Sequence, residues 1–457
     1  MEDHGCRLQG MLGLAAVESC AQFPFWRMLA LASAAGFACG SVSVSRDATG
    51  PVGETCTSAD ADASGDGTAA CPVPPSASLS DDATPTIQNC IDQMGAAGGG
   101  TVLLQEGDYW LNTDHLRFAS GQHDYVHLKG VGTRTVLHLK TGLPRAAVLV
   151  GSDAQDLSIA CPTVDAAHAV TGVEIDSLHI VGNLGNPLDC CPVYEADGKT
   201  PSPSWIACEK YAPDSNLTRN GITIRCALDV RITDVTIENT NSGGIVADHA
   251  RGLIVDGAQI DKPLVDCFAS NFTEGTVVRY VTCNSPGWAG FNGDPATRLT
   301  LEGNTVIGSG TQYQCSEPAP WEMPGMYLRG VTDSTITDNI IMGSSGEGIE
   351  LHGASRNLLA GNHIETSTKA GIVFDVDTST SACGIGSNNN VASGNVIVDG
   401  KDIPIWAVCP SLGNTASANI CTGNTNDASL ATINLDCASL CQTPADVLVT
   451  TGGCGGL

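Results

Sequence analysis

The sequence predicts an all-β fold, a right-handed parallel β-helix with a short N-terminal capping helix, and three observations carry that prediction. A strand start recurs as Gly221-Ile222, Gly244-Ile245, Cys267-Phe268, Gly290-Phe291, Met326-Tyr327, Gly348-Ile349, Gly371-Ile372 and Pro404-Ile405. The apolar residues stand 23, 23, 23, 36, 22, 23 and 33 positions apart, and a period in the low twenties is one coil of a solenoid. A second column follows about twelve residues later: Asp234, Gly257, Tyr280, Asn304, Asn339, Asn362, Asn395 and Asn419. Its five asparagines open Asn-x-Ile/Val strands with period-two alternation. Asparagine tolerates left-handed backbone angles, and its amide can bond the Asn one coil away. The third observation is composition. Fifty-three glycines and only 5% aromatic residues suit narrow coils with many turns. Leucine-rich repeats lack support because their Leu-x-x-Leu-x-Leu spacing is missing, and a β-sandwich would make the period a coincidence.

The elements follow in chain order. Residues 1–39 read as a targeting segment: Met28 to Ala38 is a short apolar run behind Trp26-Arg27, too short to span a bilayer but suited to a secretory leader, with Met28 as the true start. Gly36-Phe37-Ala38-Cys39 is similar to a lipoprotein box with Gly where Leu is expected, so free secretion and anchoring to the envelope at Cys39 both stay open. Residues 40–80, rich in Ser, Ala, Gly, Asp and Pro, read as a flexible acidic tether. Residues 81–457 form one β-helix domain, because a solenoid lengthens without a new core. Within it, Ile87, Ile91 and Met94 lie at helical spacing between Pro85 and Gly95 and give the capping helix. Inserts at 183–219, 309–324 and 378–390 interrupt the period, and excursions from a solenoid build its binding face. Trp205 and Trp321, in the first two, are candidate platforms for sugar rings.

Twenty cysteines behind a leader-like start point to disulfides in an oxidising compartment. Cys190, Cys191, Cys208, Cys315 and Cys383 fall in the inserts. Removing Cys6, Cys20 and Cys39 leaves 20 − 3 = 17, an odd number, and Cys267 at an inward position is the candidate free thiol. No Cys-x-x-Cys pair is present, so no metal site is expected. A formal charge of −28 excludes nucleic-acid binding. It also repels polyanionic sugars unless calcium bridges them; calcium is the one ion this reading admits, and no cofactor is required.

The cap segment, Asp82-Ala-Thr-Pro-Thr-Ile-Gln followed by Gly98-Gly-Gly-Thr-Val and Gly107-Asp-Tyr, resembles the start of the pectate-lyase-like superfamily, and Leu128-Lys-Gly-Val-Gly-Thr-Arg-Thr-Val continues the likeness. With the repeats it covers about residues 81–435. It implies the β-helix and a carbohydrate groove on one strand face, but no single chemistry, since the superfamily includes lyases, hydrolases, epimerases and binding proteins.

On that face the fourth residue of each strand forms a column: Arg225, Asp248, Asn271, Asp294, Gly330, His352, Asp375 and Val408, joined two residues earlier by Asn292 and Glu350. Asp248, Asp294, His352 and Asp375 are the candidate catalytic residues; Arg225, Asn271, Asn292 and Glu350 are candidate substrate contacts. Asp248 and Asp294, two coils apart, would stand roughly 9.6 Å apart, at the upper edge for an inverting pair of carboxylates. Asp266 and Glu347, at the strand starts, are the fallback site. The polygalacturonase pattern keeps only Asp266 of its acids, with Trp288 near the expected His. The Trp-Ile-Asp-His signature of calcium-dependent pectate lyases is absent, and so is the epimerase pattern Asp-Pro-His, because Ala296 follows Asp294-Pro295. Together these readings describe an extracytoplasmic, monomeric protein acting on polysaccharide as a hydrolase, lyase or epimerase. The alternative is a non-catalytic glycan-binding or structural module of the cell surface.

Overall fold

The computed structural model describes residues 69–141, 145–154, 161, 163–183, 219–310, 323–377, 385–408 and 411–423. The leader, Cys39, most of the tether, Trp205, Trp321 and the five insert cysteines lie outside them. The described chain winds through three sheets of 12, 11 and 14 strands. One coil runs from Ile245–Arg251 in the third sheet to Ile254–Asp256 in the first and Gln259–Asp261 in the second, then returns to the third at Phe268–Asn271. Successive coils pair in parallel, as in Ile222↔Ile245 and Ile245↔Phe268. Among the described strands, only Ile385–Gly386 pairs antiparallel, with Val376 and Asp377.

In the first and second sheets each three-residue strand turns its middle side chain inward. Ile232, Val255 and Val278 stack in the first sheet and Ile237, Ile260 and Val306 in the second, all fully buried. Burying such a side chain contributes roughly 1.5–3 kcal/mol, so the core grows by a similar increment with every coil. Where most coils enter the third sheet stands a glycine that cannot carry a side chain. A Cβ on Gly244 would meet Ile260 at 2.5 Å, one on Gly325 would meet Ile341 at 2.4 Å, and one on Gly348 would meet Ile364 at 2.4 Å.

This glycine column corrects the register expected from sequence. Gly325-Met326, not Met326-Tyr327, is the strand start, because Phe291 pairs with Met326 and Met326 with Ile349. The coil steps around it are therefore 35 and 23 residues, and Arg329, not Gly330, faces His352.

The same column explains the fate of Cys267. It is buried, as expected, but it is bonded to Cys283 and not free. Cys267 replaces the glycine and Cys283, 16 residues on, replaces the isoleucine that packs against it in the coil before; the disulfide fills the space of that contact. Cys161–Cys226 and Cys71–Cys90 are also bonded.

Cys71 belongs to Ala70–Val73, a strand paired with Gly100–Leu104. The end of the stretch read as a tether is thus the first strand of the first sheet, with Cys71 and Val73 buried. The helix, Thr84–Ala96, packs on this strand and on Gly100–Leu104, Leu116–Phe118 and Val126–Lys129. Ile87, Ile91 and Met94 face the core, as their spacing predicts.

The five asparagines stack as expected. The Asn304 side-chain amide donates to Asn339 Oδ1 at 3.0 Å, and Asn339 to Asn362, Asn362 to Asn395 and Asn395 to Asn419, each at 2.9 Å. Of the two expected reasons, the amide bridge to the next coil holds and the left-handed backbone angle does not. The left-handed angles belong to the residues before them, such as Gly303, Asp338 and Gly361. The asparagines themselves point into the core and hold the coils together. A second ladder, Asn357 to Asn390 to Asn414, runs at 3.0 Å per step.

Candidate functional site

The outer face of the third sheet brings together residues from four consecutive coils. Asp294 follows Phe291–Gly293, Arg329 ends Met326–Arg329, His352 ends Ile349–His352, and Asp375 lies in Ile372–Asp377. Register places Arg329 opposite His352 and His352 opposite Asp375. Asp294 extends the row by one rung, because Gly293 pairs with Leu328.

The side chains meet as well as align. Arg329 donates through Nη1 to Asp294 Oδ2 at 3.3 Å and through Nε to Asp377 Oδ2 at 3.2 Å, so one guanidinium holds two carboxylates. His352 Nδ1 lies 3.3 Å from Glu350 Oε1 and 4.0 Å from Asp375 Oδ2, and its Nε2 lies 4.0 Å from Asp377 Oδ1. Glu350 and His352 are two apart on one strand and share a face. Above them Trp288, Tyr327 and His352 form a run of rings with centroids 5.6 and 5.8 Å apart. All of these side chains are half-buried.

That partial burial tunes the titratable groups. Burial raises the pKa of Asp294, and Arg329 only partly offsets it. Asp375 is raised by burial too, against a hydrogen bond from the Val376 N–H. On His352 burial opposes the charge, yet the Glu350 hydrogen bond and the charges of Asp375, Glu350 and Asp377 outweigh it and raise the pKa. Tyr327 is pushed up strongly by burial and stays a neutral phenol.

The other expected residues are placed differently. Asp248 and Arg225 lie on the same row but are almost fully buried: Arg225 Nε is 3.8 Å from Asp248 Oδ2, and Asp248 Oδ1 is 2.6 Å from His249 Nδ1. Asn271 pairs with Asp248 in register, between it and Asp294. Asn292 turns to Asp266, donating to its Oδ2 at 3.2 Å. Glu347 lies 3.5 Å from Lys369 Nζ, with its pKa raised by burial. Arg329, Asp377 and Tyr327 were missed by the sequence reading. Gly325 was the available signal for the first and third, since it marks the strand start; Asp377 lies beyond the fourth strand position and carried none.

A family model described as periplasmic copper-binding protein (NosD) matches residues 209–382. No curated protein matches the sequence significantly. Among solved structures, Geobacillus virus E2 ORF18 aligns over 78% of this chain and 62% of its own at 14% identity, with a TM-score of 0.52. The chain is a right-handed parallel β-helix repeat protein. Other β-helices aligned with it are the A-module of the Azotobacter vinelandii mannuronan C-5 epimerase AlgE6 (16% identity, 76% of this chain, 91% of that one, TM-score 0.46) and the Arthrobacter chlorophenolicus A6 DFA-IIIase (14%, 83%, 89%, 0.48).

Among the described residues of this β-helix, Glu350, His352 and Asp375 have donor atoms within 4.8 Å of one another. Two carboxylates and one imidazole, without thiolate or thioether, do not suit cuprous copper.

Proposed function

We propose that the groove on the third sheet binds a neutral polysaccharide and hydrolyses it by general acid–base catalysis, with His352 as proton donor and Asp294 as base. The observation that carries this reading is the row Asp294, Arg329, His352 and Asp375 on consecutive rungs, with a donor and an acceptor flanking one cationic rung. Asp294 and His352 are two rungs apart, about 9.6 Å at strand spacing, at the upper end of the separation that admits a sugar and a water between two catalytic groups.

Each group suits its role. The raised pKa of His352 favours its protonated form, the one that can protonate the leaving oxygen. The raised pKa of Asp294 makes it a stronger base than an exposed aspartate, and Arg329 fixes its direction. Tyr327 and Trp288 offer ring area against which a sugar stacks. Four carboxylates (Asp294, Glu350, Asp375 and Asp377) against one guanidinium and one imidazole leave the row negative. That balance favours a neutral glycan over a polyuronate. The disulfides fit an extracytoplasmic place of action.

The test is a panel of polysaccharides scored for new reducing ends, unsaturated products and binding. Reducing ends without unsaturated products support hydrolysis. Unsaturated products would replace it by elimination, binding without either product by a glycan-binding module, and no response on any glycan overturns the reading.

A further inference from the structure

Two rungs N-terminal to Asp294, the same sheet face carries a second cluster that the proposed chemistry leaves unused. His249 and Phe272 are neighbours across one rung, since Asp248 pairs with Asn271 immediately before them. Both take left-handed backbone angles, φ 52° and 51°, a conformation uncommon for bulky residues. Their rings lie together, with centroids 4.9 Å apart and planes tilted by 31°. Asp248 anchors the pair: its buried carboxylate accepts from His249 Nδ1 at 2.6 Å and is itself backed by the buried Arg225. The imidazole is therefore fixed in direction with Nε2 turned away from its anchor, while Phe272 is 43% exposed.

A preorganised aromatic surface beside a fixed polar nitrogen is what a pyranose ring needs, since its C–H face stacks on the ring and a hydroxyl meets the nitrogen. We infer that His249 and Phe272 form a distal sugar subsite for the same polysaccharide, which then runs along the solenoid axis from Phe272 past Asn271 to Asp294. This rests on the hydrolase reading for the direction of the chain, but the occupant follows from continuity: the subsite and the row at Asp294 share one strand face with Asn271 between them.

The experiment compares wild type, Phe272→Ala and Phe272→Trp on a length series of oligosaccharides cut from the polysaccharide the protein cleaves, with melting temperature as the folding control. Phe272→Ala should lower kcat/KM on long chains by about tenfold, the loss of one stacking contact, through KM and not kcat, with the deficit shrinking as the chain shortens. Phe272→Trp should restore it. An equal deficit at every length, a loss confined to kcat, or no deficit in a folded variant overturns the subsite while leaving the hydrolase reading intact. If wild type cleaves no glycan, that reading falls and the subsite is judged on glycan binding alone: binding lost in Phe272→Ala and regained in Phe272→Trp upholds it, and binding indifferent to both overturns it.

Discussion

Replacing Asp266 by asparagine should stabilise this protein, and more so as pH rises. Asp266 is 4% exposed; its Oδ1 accepts the Ala289 N–H at 3.1 Å and its Oδ2 accepts from Asn292 at 3.2 Å. Burial outweighs those hydrogen bonds and pushes its pKa from 3.8 up to about 8. A folded pKa above the unfolded one means that the unfolded chain binds fewer protons between the two values, so stability is complete below pH 3.8 and falls as pH rises through about 8. At about 1.4 kcal/mol per pKa unit, the roughly three units up to pH 7 amount to about 4 kcal/mol, an upper figure. Asparagine keeps the shape without the titration, and the fold already uses it there: Asn220, two coils earlier in the same column, accepts the Gly243 N–H at 2.9 Å. Denaturant unfolding at pH 5 and pH 8 should find Asp266→Asn above wild type by a margin that widens at pH 8. A variant less stable than wild type by the same margin at both values would refute the reasoning, because Asp266 would then be an ionised group that the fold uses.

Three further outcomes follow from the geometry. Asn362→Ala leaves the Asn339 N–H, the Asn339 amide, the Ile336 carbonyl and Asn395 Oδ1 short of a partner in the core, so denaturant unfolding should register a loss of at least about 3 kcal/mol, given about 1–3 kcal/mol per buried unsatisfied group. Replacing Cys267 and Cys283 together by alanine opens a loop with a separation of 16 residues and should lower stability by about 3 kcal/mol in the same assay. Glu350→Gln removes one of the charges that raise the His352 pKa and leaves only a weaker, neutral acceptor for Nδ1; the alkaline limb of the pH–rate profile should therefore move to lower pH, and an unmoved limb would exclude His352 as the proton donor.

The coil period was legible because the solenoid imposes the same steric demand every turn: glycine where the chain passes Ile237, Ile260 or Ile341, and asparagine where an amide can bridge two coils. Where the demand was ambiguous, the reading slipped. Met326 and Tyr327 are both apolar enough to begin a strand, and choosing the second displaced the column by one residue and hid Arg329. The disulfide at Cys267 was hidden because it substitutes for a packing contact, and nothing in its local sequence marks that exchange. Asp248 was read as an open carboxylate because alternation alone cannot report that Arg225 and His249 enclose it. Asp377 reaches Arg329 from past the expected end of its strand, a reach set by tertiary packing and not by repeat position.

The central claim is that one row of side chains on the third sheet performs acid–base chemistry on a glycan. Its most direct test is the turnover of Asp294→Asn and His352→Ala, each against wild type, on the polysaccharide that wild type degrades fastest, with melting temperatures measured in parallel. Each variant should lose at least about a hundredfold in kcat, as expected for removal of a general acid or base, with little change in melting temperature. Wild-type turnover in both folded variants would contradict the account.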